Sequence, residues 1–312
     1  MIEHPIFLVG AERSGTTLLR LMLDHHPQLA FQYEFEFAVD PIDAQGNYPK
    51  LADYHEYLAY DRIFLSTNFT IDPNLDYPQL VNSFLEQKQQ RSQKLRVGAT
   101  VHRRFDQLLR LWPSAYFIHL VRDGRDVAQS NIVMGWAGNL YTGVDAWIEA
   151  EQLWQQLSAK VAPERQITIY YEQLIENSDK VLNDLCQFIG LPFNPAMYNY
   201  AQRTTYQLPN SSIGQQWRNK IPSYQIQLAE TKIASLLEER GYELSGLPPL
   251  TITLWLHWKC RLQNRWFKLQ FRIRRYTFRL CLADFLSRRL HLVRWQKQVR
   301  LRLNQIDQKY LR

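Results

Sequence analysis

Along the first 250 positions, short β-branched and aromatic runs alternate with stretches in which apolar residues recur every three or four places. The short runs predict strands at 5–9, 94–98, 115–121 and 166–170. The longer ones predict helices at 16–24, 107–112, 125–134, 144–158, 180–189 and 225–239. Alternation of that kind builds an α/β fold, a parallel sheet with helices on its faces. Residues 31–37 alternate strictly between aromatic or aliphatic and polar positions, so an extended chain there would set Glu34 and Glu36 on one face. Residues 40–92, with several Pro, Asn and Tyr, read as an insertion of loops and short helices that shapes a pocket.

The pattern changes after Pro249, beyond which the chain has neither Gly nor Pro. Trp255, Trp258, Leu262, Trp266, Leu269 and Ile273 recur at helical spacing, and Val299, Leu303, Ile306 and Tyr310 repeat it. A helical hairpin is expected, folded back near residues 284–287. This divides the chain into a body, 1–247, and an amphipathic extension, 248–312. Charge follows the same division. Residues 251–312 hold 16 Lys+Arg and 2 Asp+Glu, whereas residues 1–250 hold 21 and 28. The basic character therefore belongs to the extension. Its apolar stripes are expected to pack on the body or on one another; an anionic membrane surface or a second copy of the chain are the other candidates, and nucleic acid is not expected.

No apolar stretch approaches the roughly 20 residues that span a bilayer. With no secretory leader pattern, this implies a cytoplasmic protein, peripheral at most. Cys186, Cys260 and Cys281 are odd in number and far apart, which excludes a disulfide framework and metal-ligand spacing. The neighbours His25 and His26 diverge at a helix end, so no metal site is expected.

Candidate chemistry begins at Gly10-Ala11-Glu12-Arg13-Ser14-Gly15-Thr16-Thr17, between a strand and a helix. A Gly-bounded turn there aims backbone N–H groups and the positive end of the helix at one anion. The Gly-x4-Gly spacing is that of the P-loop, but Thr16 stands where a nucleotide kinase needs lysine, and no Walker-type Asp for magnesium is evident. A second strand, turn and helix start, Phe117 to Ser130, places Arg122 at a strand's carboxyl end, where open parallel sheets bind ligands.

Together, Ala-Glu-Arg-Ser-Gly-Thr-Thr-Leu-Leu and Val-Arg-Asp-Gly-Arg-Asp-Val resemble the 5'-phosphosulfate loop and the 3'-phosphate motif of sulfotransferases that use 3'-phosphoadenosine 5'-phosphosulfate (PAPS). The bacterial and tyrosylprotein branch is the most similar, over roughly residues 5–245. The resemblance implies a sulfotransferase fold, PAPS as co-substrate, adenosine 3',5'-bisphosphate as product, no metal, and a hydroxyl acceptor on a carbohydrate, lipid, small molecule or peptide. It implies that Arg13, Ser14, Gly15, Thr16 and Thr17 hold the 5'-phosphosulfate, Arg122 and Ser130 the 3'-phosphate, and that Tyr171 lies near the adenine. Ser212, Gly214 and Arg218 match, more loosely, a late loop closing over the 3'-phosphate. Asp123 and Arg125 are assigned to holding the turn, and His119 to the core.

Glu34 is the expected base, 21 residues after Arg13, an interval shared with the tyrosylprotein branch; Glu36 is the spare and His102 the rival. Relatives usually carry a lysine before the second motif to stabilise the leaving phosphate. Residues 97–104 have none, so Arg13 acts alone or His102 or Arg103 substitutes. A catalytically idle nucleotide-binding module targeted by the basic extension, or a P-loop kinase, are the competing readings.

Overall fold

The computed structural model describes residues 1–310, apart from the side chain of Tyr310. Five parallel strands, β1 Ile6–Val9, β2 Leu29–Glu34, β3 Arg96–Val101, β4 Tyr116–Val121 and β5 Gln166–Tyr170, form a sheet in the order β2-β3-β1-β4-β5. Central β1 pairs its Ile6 with Gly98 of β3 and Tyr116 of β4. Its residues are buried on both sides, which is why the strand reads as a continuous apolar run. Phe7 and Val9 join the core on one face, while Ile6 and Leu8 pack with Leu19 and Met22 on the other. β3 begins two residues later and ends three residues later than expected, which brings Thr100 and His102 to the sheet's carboxyl edge.

Helix α1 (Thr16–His25) follows β1. The segment 40–92 contains α2 (Leu51–Leu58), α3 (Arg62–Thr67) and α4 (Tyr77–Ser92). The expectation of loops and short helices is corrected here, because α4 is a 16-residue helix of the main core. Asp76 and Gln79 form a reciprocal capping box and Pro78 sits in the first turn. Leu80, Val81, Phe84 and Leu85 then bury one face. The strand reading of 31–37 also stops early. Register shifts between Gln32 and Glu34, and Glu36–Ala38 is a single 3-10 turn. Glu36 consequently turns inward and Glu34 does not share its face.

Helix α5 (Gly124–Val133) follows β4, α6 is Asp145–Ser158, α7 (Tyr171–Glu176) follows β5, and α8 (Ser178–Phe188) and α9 (Ser223–Glu239) complete the body. The turn into α5 is held as expected: Asp123 caps the helix through the Arg125 N–H at 2.9 Å. Arg125, 1% exposed, donates to Asp123 at 2.6 and 2.9 Å, to Glu230 at 2.7 Å and to the Glu243 carbonyl at 2.8 Å. Its guanidinium also lies 3.4 Å from the Trp217 ring centroid.

The extension is three helices, α10 (Leu254–Tyr276), α11 (Phe278–Arg289) and α12 (Val293–Tyr310). The expected fold-back at 284–287 is corrected. The chain reverses at Thr277 and His291, both at positive φ, while Asp284 and Ser287 are buried within α11. The packing face differs too. Leu256 and Cys260 pack with Tyr141 and Leu228, and the Asn264 side chain accepts the Gly138 N–H at 2.8 Å. Gly135 and Gly138 permit that approach; a Cβ on Gly135 would lie 2.3 Å from the Phe271 ring. The stripe from Trp255 to Leu269 faces outward instead. At the far end Lys297 pairs with Glu56 of α2, and Asn304 donates to the Tyr60 carbonyl at 3.3 Å.

Removing Arg125 would strand the buried Asp123 carboxylate. Arg125→Ala is expected to lose about 3 kcal/mol or more in chemical denaturation; a loss under about 1 kcal/mol would show that the network does not hold the turn.

Candidate functional site

A candidate site residue stands at or shortly after the end of every strand. Arg13 lies in the turn after β1, Glu34 ends β2, His102 follows β3, Arg122 follows β4 and Tyr171 follows β5. Successive connections run toward β2 from β1 and toward β5 from β4, so the turns after β1 and β4 flank the switch point where such sheets bind ligands.

The first turn is shaped as an anion cradle. Gly10 has φ 142°, and a Cβ there would meet the Leu120 carbonyl oxygen at 2.4 Å. Arg13 and Gly15 are both left-handed, at φ 72° and 95°. Gly15 is the N-cap of α1 and no side chain caps the helix, which leaves its leading N–H groups for a ligand. Tyr171 closes one side, since a Cβ on Gly15 would come within 2.3 Å of its ring. The two motifs are directly joined: Arg13 Nε donates to Ser130 Oγ at 2.9 Å, and Arg122 Nη1 to the Arg13 carbonyl at 3.3 Å. The Arg122 guanidinium lies 4.6 Å from the Tyr171 ring centroid and 3.6 Å from Asp126. Buried Ser14 Oγ, Thr100 Oγ1 and Arg122 Nε have no protein partner. Buried polar atoms of that kind call for a ligand or water.

Three cavities share these walls. One of about 440 Å³ is lined by Arg13, Thr16, Arg20, Glu34, Arg62 and His102, among others. Another, about 230 Å³, includes Arg13, Thr17, Arg122, Tyr171 and Tyr206. A third, about 300 Å³, includes Arg122, Ser130, Tyr171 and Lys220. Arg13, Thr16 and Tyr206 line both of the first two, while Arg122 and Tyr171 line both of the last two.

A buried polar chain runs from the wall of the 440 Å³ cavity, where Thr16 and His102 line it, into the core at Glu36. His102 Nε2 is 3.0 Å from Thr16 Oγ1, and His102 Nδ1 is 2.8 Å from Glu36 Oε1, which also accepts the His102 backbone N–H at 2.9 Å. Burial opposes a charge on His102, but the hydrogen bond and negative charge of Glu36 outweigh it and raise the imidazole pKa. Burial likewise opposes the Glu36 charge, and His102 outweighs it, lowering that carboxyl. Glu34 moves the other way: burial, then the charge of Glu36, raise its pKa, with Arg62 only 3.6 Å away as a partial counterweight.

The remaining expected residues divide. Ser212 and Gly214 sit in a short turn in which only Ile213 between them lines cavities. Arg218 pairs with Glu243 at 3.0 Å, lies over Trp217 and is not among the residues lining the three cavities. Arg103 is held by Asp40 at 2.6 and 3.0 Å and does not line the site. His119 is a core residue, stacked 4.5 Å from Trp154 and 3.2 Å from Glu151. His25 and His26 meet separate carbonyls, of Leu21 and Pro192. Sequence reasoning missed Arg20, Thr100, Tyr206 and Lys220. Arg20 was detectable, four residues after Thr16 on the same helix face; Tyr206 sits in an irregular segment that carries no periodic signal.

Comparison with known proteins agrees with this arrangement. A family model described as "Sulfotransferase family" matches residues 5–195. Protein-tyrosine sulfotransferase of Drosophila melanogaster is 23% identical over 273 residues, covering 78% of this chain and 52% of that protein. The chain thus spans about half the length of the fly relative. Protein-tyrosine sulfotransferase 1 of Danio rerio is 25% identical over 271 residues, covering 78% and 74%. In fold, the sulfotransferase domain of the Synechococcus PCC 7002 olefin synthase matches with a TM-score of 0.55 at 21% identity, over 79% of this chain and 98% of that one. The sulfotransferase domain from the curacin biosynthetic pathway gives 0.54 at 20%, over 78% and 99%. Because that family model covers more than half of the residues, the chain belongs to the sulfotransferase family.

Proposed function

We propose that the protein transfers a sulfuryl group from PAPS to the hydroxyl of a polar acceptor. The observation that carries this is the Arg13–Ser130 hydrogen bond, which joins the anion cradle after β1 to the basic turn after β4 within one set of connected cavities. PAPS, when bound, supplies the sulfuryl group and leaves as adenosine 3',5'-bisphosphate. Loop N–H groups at 14–17 and the Arg13 guanidinium hold the 5' end, and the unpartnered Ser14 hydroxyl is available to it. Arg122, Ser130 and Lys220 hold the 3'-phosphate, while Tyr171 forms the wall between the two. The acceptor enters the 440 Å³ cavity, whose wall of Arg20, Tyr33, Glu34 and Arg62 suits a carbohydrate, lipid headgroup or tyrosine better than an apolar alcohol. The fly and zebrafish relatives carry names that specify protein tyrosine. Of the 40–92 segment, Arg62 and Ile63 reach that wall.

Glu34 is assigned as the base, because it faces the cavity with its carboxylate oxygens only loosely paired to Arg62 and its affinity for protons raised. His102 is not free for that task, being fixed between Thr16 and Glu36. With its pKa raised by Glu36, its imidazolium form is favoured, and that form supplies positive charge beside the cradle, where relatives place a lysine. Glu36 positions it.

Three outcomes check this reading. Arg122→Ala is expected to weaken adenosine 3',5'-bisphosphate binding by about 2 kcal/mol, roughly 30-fold, in metal-free calorimetry. Unchanged affinity would remove the donor assignment. Glu34→Gln is expected to lower kcat about 100-fold or more at unaltered donor affinity; if His102→Ala abolishes turnover while Glu34→Gln keeps it, the roles are exchanged. The third is a pH profile. Activity needs Glu34 ionised and His102 charged, so it falls on the acid side as Glu34 protonates and on the alkaline side as His102 loses its proton, both above the groups' ordinary values. Glu36→Gln removes the charge that raises His102, so the alkaline limb should move to lower pH; a stationary limb would show that His102 does not set it.

A further inference from the structure

Helix α10 carries two apolar faces. Leu256 and Cys260 belong to the one that packs on the body. Trp255, Trp258, Leu262, Trp266 and Leu269 form the other, and they are 69%, 60%, 62%, 63% and 47% exposed. Leu269 also lines a groove of about 600 Å³ between α10 and α11, whose walls include Phe278, Leu282 and Phe285 with Arg288 and Arg289 beside them. The outward apolar surface therefore runs from one helix onto the next. A surface of this extent is unusual for a chain that works alone in water.

Charge identifies the occupant. The only acidic residues in 251–312 are Asp284 and Asp307. Both are taken within the extension, Asp284 by Arg272 at 2.7 Å and by Arg288, and Asp307 by the Tyr276 hydroxyl at 2.7 Å and Arg275 at 3.1 Å. Lys259, Arg265 and Lys268 are interleaved with the outward stripe, and the Lys259 ammonium lies 4.8 Å from the Trp255 ring centroid. A second copy docked on the same face would oppose its own uncompensated cations. Nucleic acid would satisfy the cations and leave the Leu and Phe side chains without an apolar partner. An anionic bilayer satisfies both, with tryptophans at the headgroup level and basic residues toward lipid phosphate.

We propose that the outward surface of α10 and α11 is a docking face for an anionic lipid bilayer. Its attachment points border the acceptor cavity. Gly135, under Phe271, follows the cavity residue Met134, and Tyr60, which receives Asn304, is two residues from the cavity residue Arg62. The proposal does not depend on the donor assignment, because its readout is binding.

The test uses the full chain with vesicles of phosphatidylglycerol and phosphatidylcholine, against vesicles of phosphatidylcholine alone. Co-sedimentation is expected with the first and not the second, with a blue shift in tryptophan emission. The triple variant Trp255→Ser/Trp258→Ser/Trp266→Ser alters only exposed positions, so its thermal melting should match the parent, and its vesicle partitioning should fall on the order of tenfold or more. Raising salt from about 0.1 M to 1 M should weaken binding as the screening length contracts from about 10 to 3 Å. Absence of binding to anionic vesicles, or equal binding by the triple variant, overturns the proposal. So does a dimer in light scattering that ignores vesicles and that the triple variant splits, or a preference for a single-stranded RNA with vesicles ignored.

Discussion

Parallel pairing is the constraint from which the rest of this structure follows. Because all five strands run one way, their carboxyl ends lie along one edge, and a residue following any strand arrives beside those following its neighbours. Glu34, His102, Arg13, Arg122 and Tyr171, separated by up to 158 positions in the chain, thereby fall in one row along that edge in the order of the strands. The helices on both faces provide the burial that holds the sheet, and only then does the short distance between Arg13 and Ser130 become available.

Electrostatics at that edge works by pairing buried groups unequally. Glu36 and His102 sit in direct contact and push each other's proton affinities apart, which stabilises the ionised pair against the cost of burial. Glu34, two residues from Glu36 in sequence, has no such partner and shifts in the opposite direction. Two carboxylates from one segment thereby acquire different chemistry, and the cause is the 3-10 turn that rotates Glu36 inward. Arg125 performs a structural counterpart after β4, pairing with Asp123 and Glu230, while Arg122, beside Asp126, lines the cavities.

Features carried by local pattern were legible in the sequence. The Gly10–Thr17 turn, the β4 turn and α1 each depend on residues close in the chain, so Gly spacing and apolar periodicity located them. What escaped depended on contacts made across the fold. The 31–37 alternation suggested a longer strand, yet a register shift after Gln32 and a 3-10 turn end it, and a hydrogen bond from residue 102 holds the inward Glu36. Residues 40–92 looked irregular because their prolines and asparagines drew attention away from the Asp76–Gln79 capping box, a signal present in the sequence. In the extension, helical spacing was correct but the buried face was not: the body receives α10 through glycines and an asparagine, residues that hydrophobic periodicity does not weigh.

The left-handed backbone of Arg13 bears on how this protein can change. A side chain with a Cβ costs roughly 1–2 kcal/mol in that conformation relative to glycine. Selection for thermal endurance alone would favour glycine at position 13, relieving the backbone and discarding the guanidinium that reaches Ser130. Under the proposed donor role, arginine at that position marks a place where durability and activity compete for one residue, and a stabilised derivative of this protein would best find its gains elsewhere.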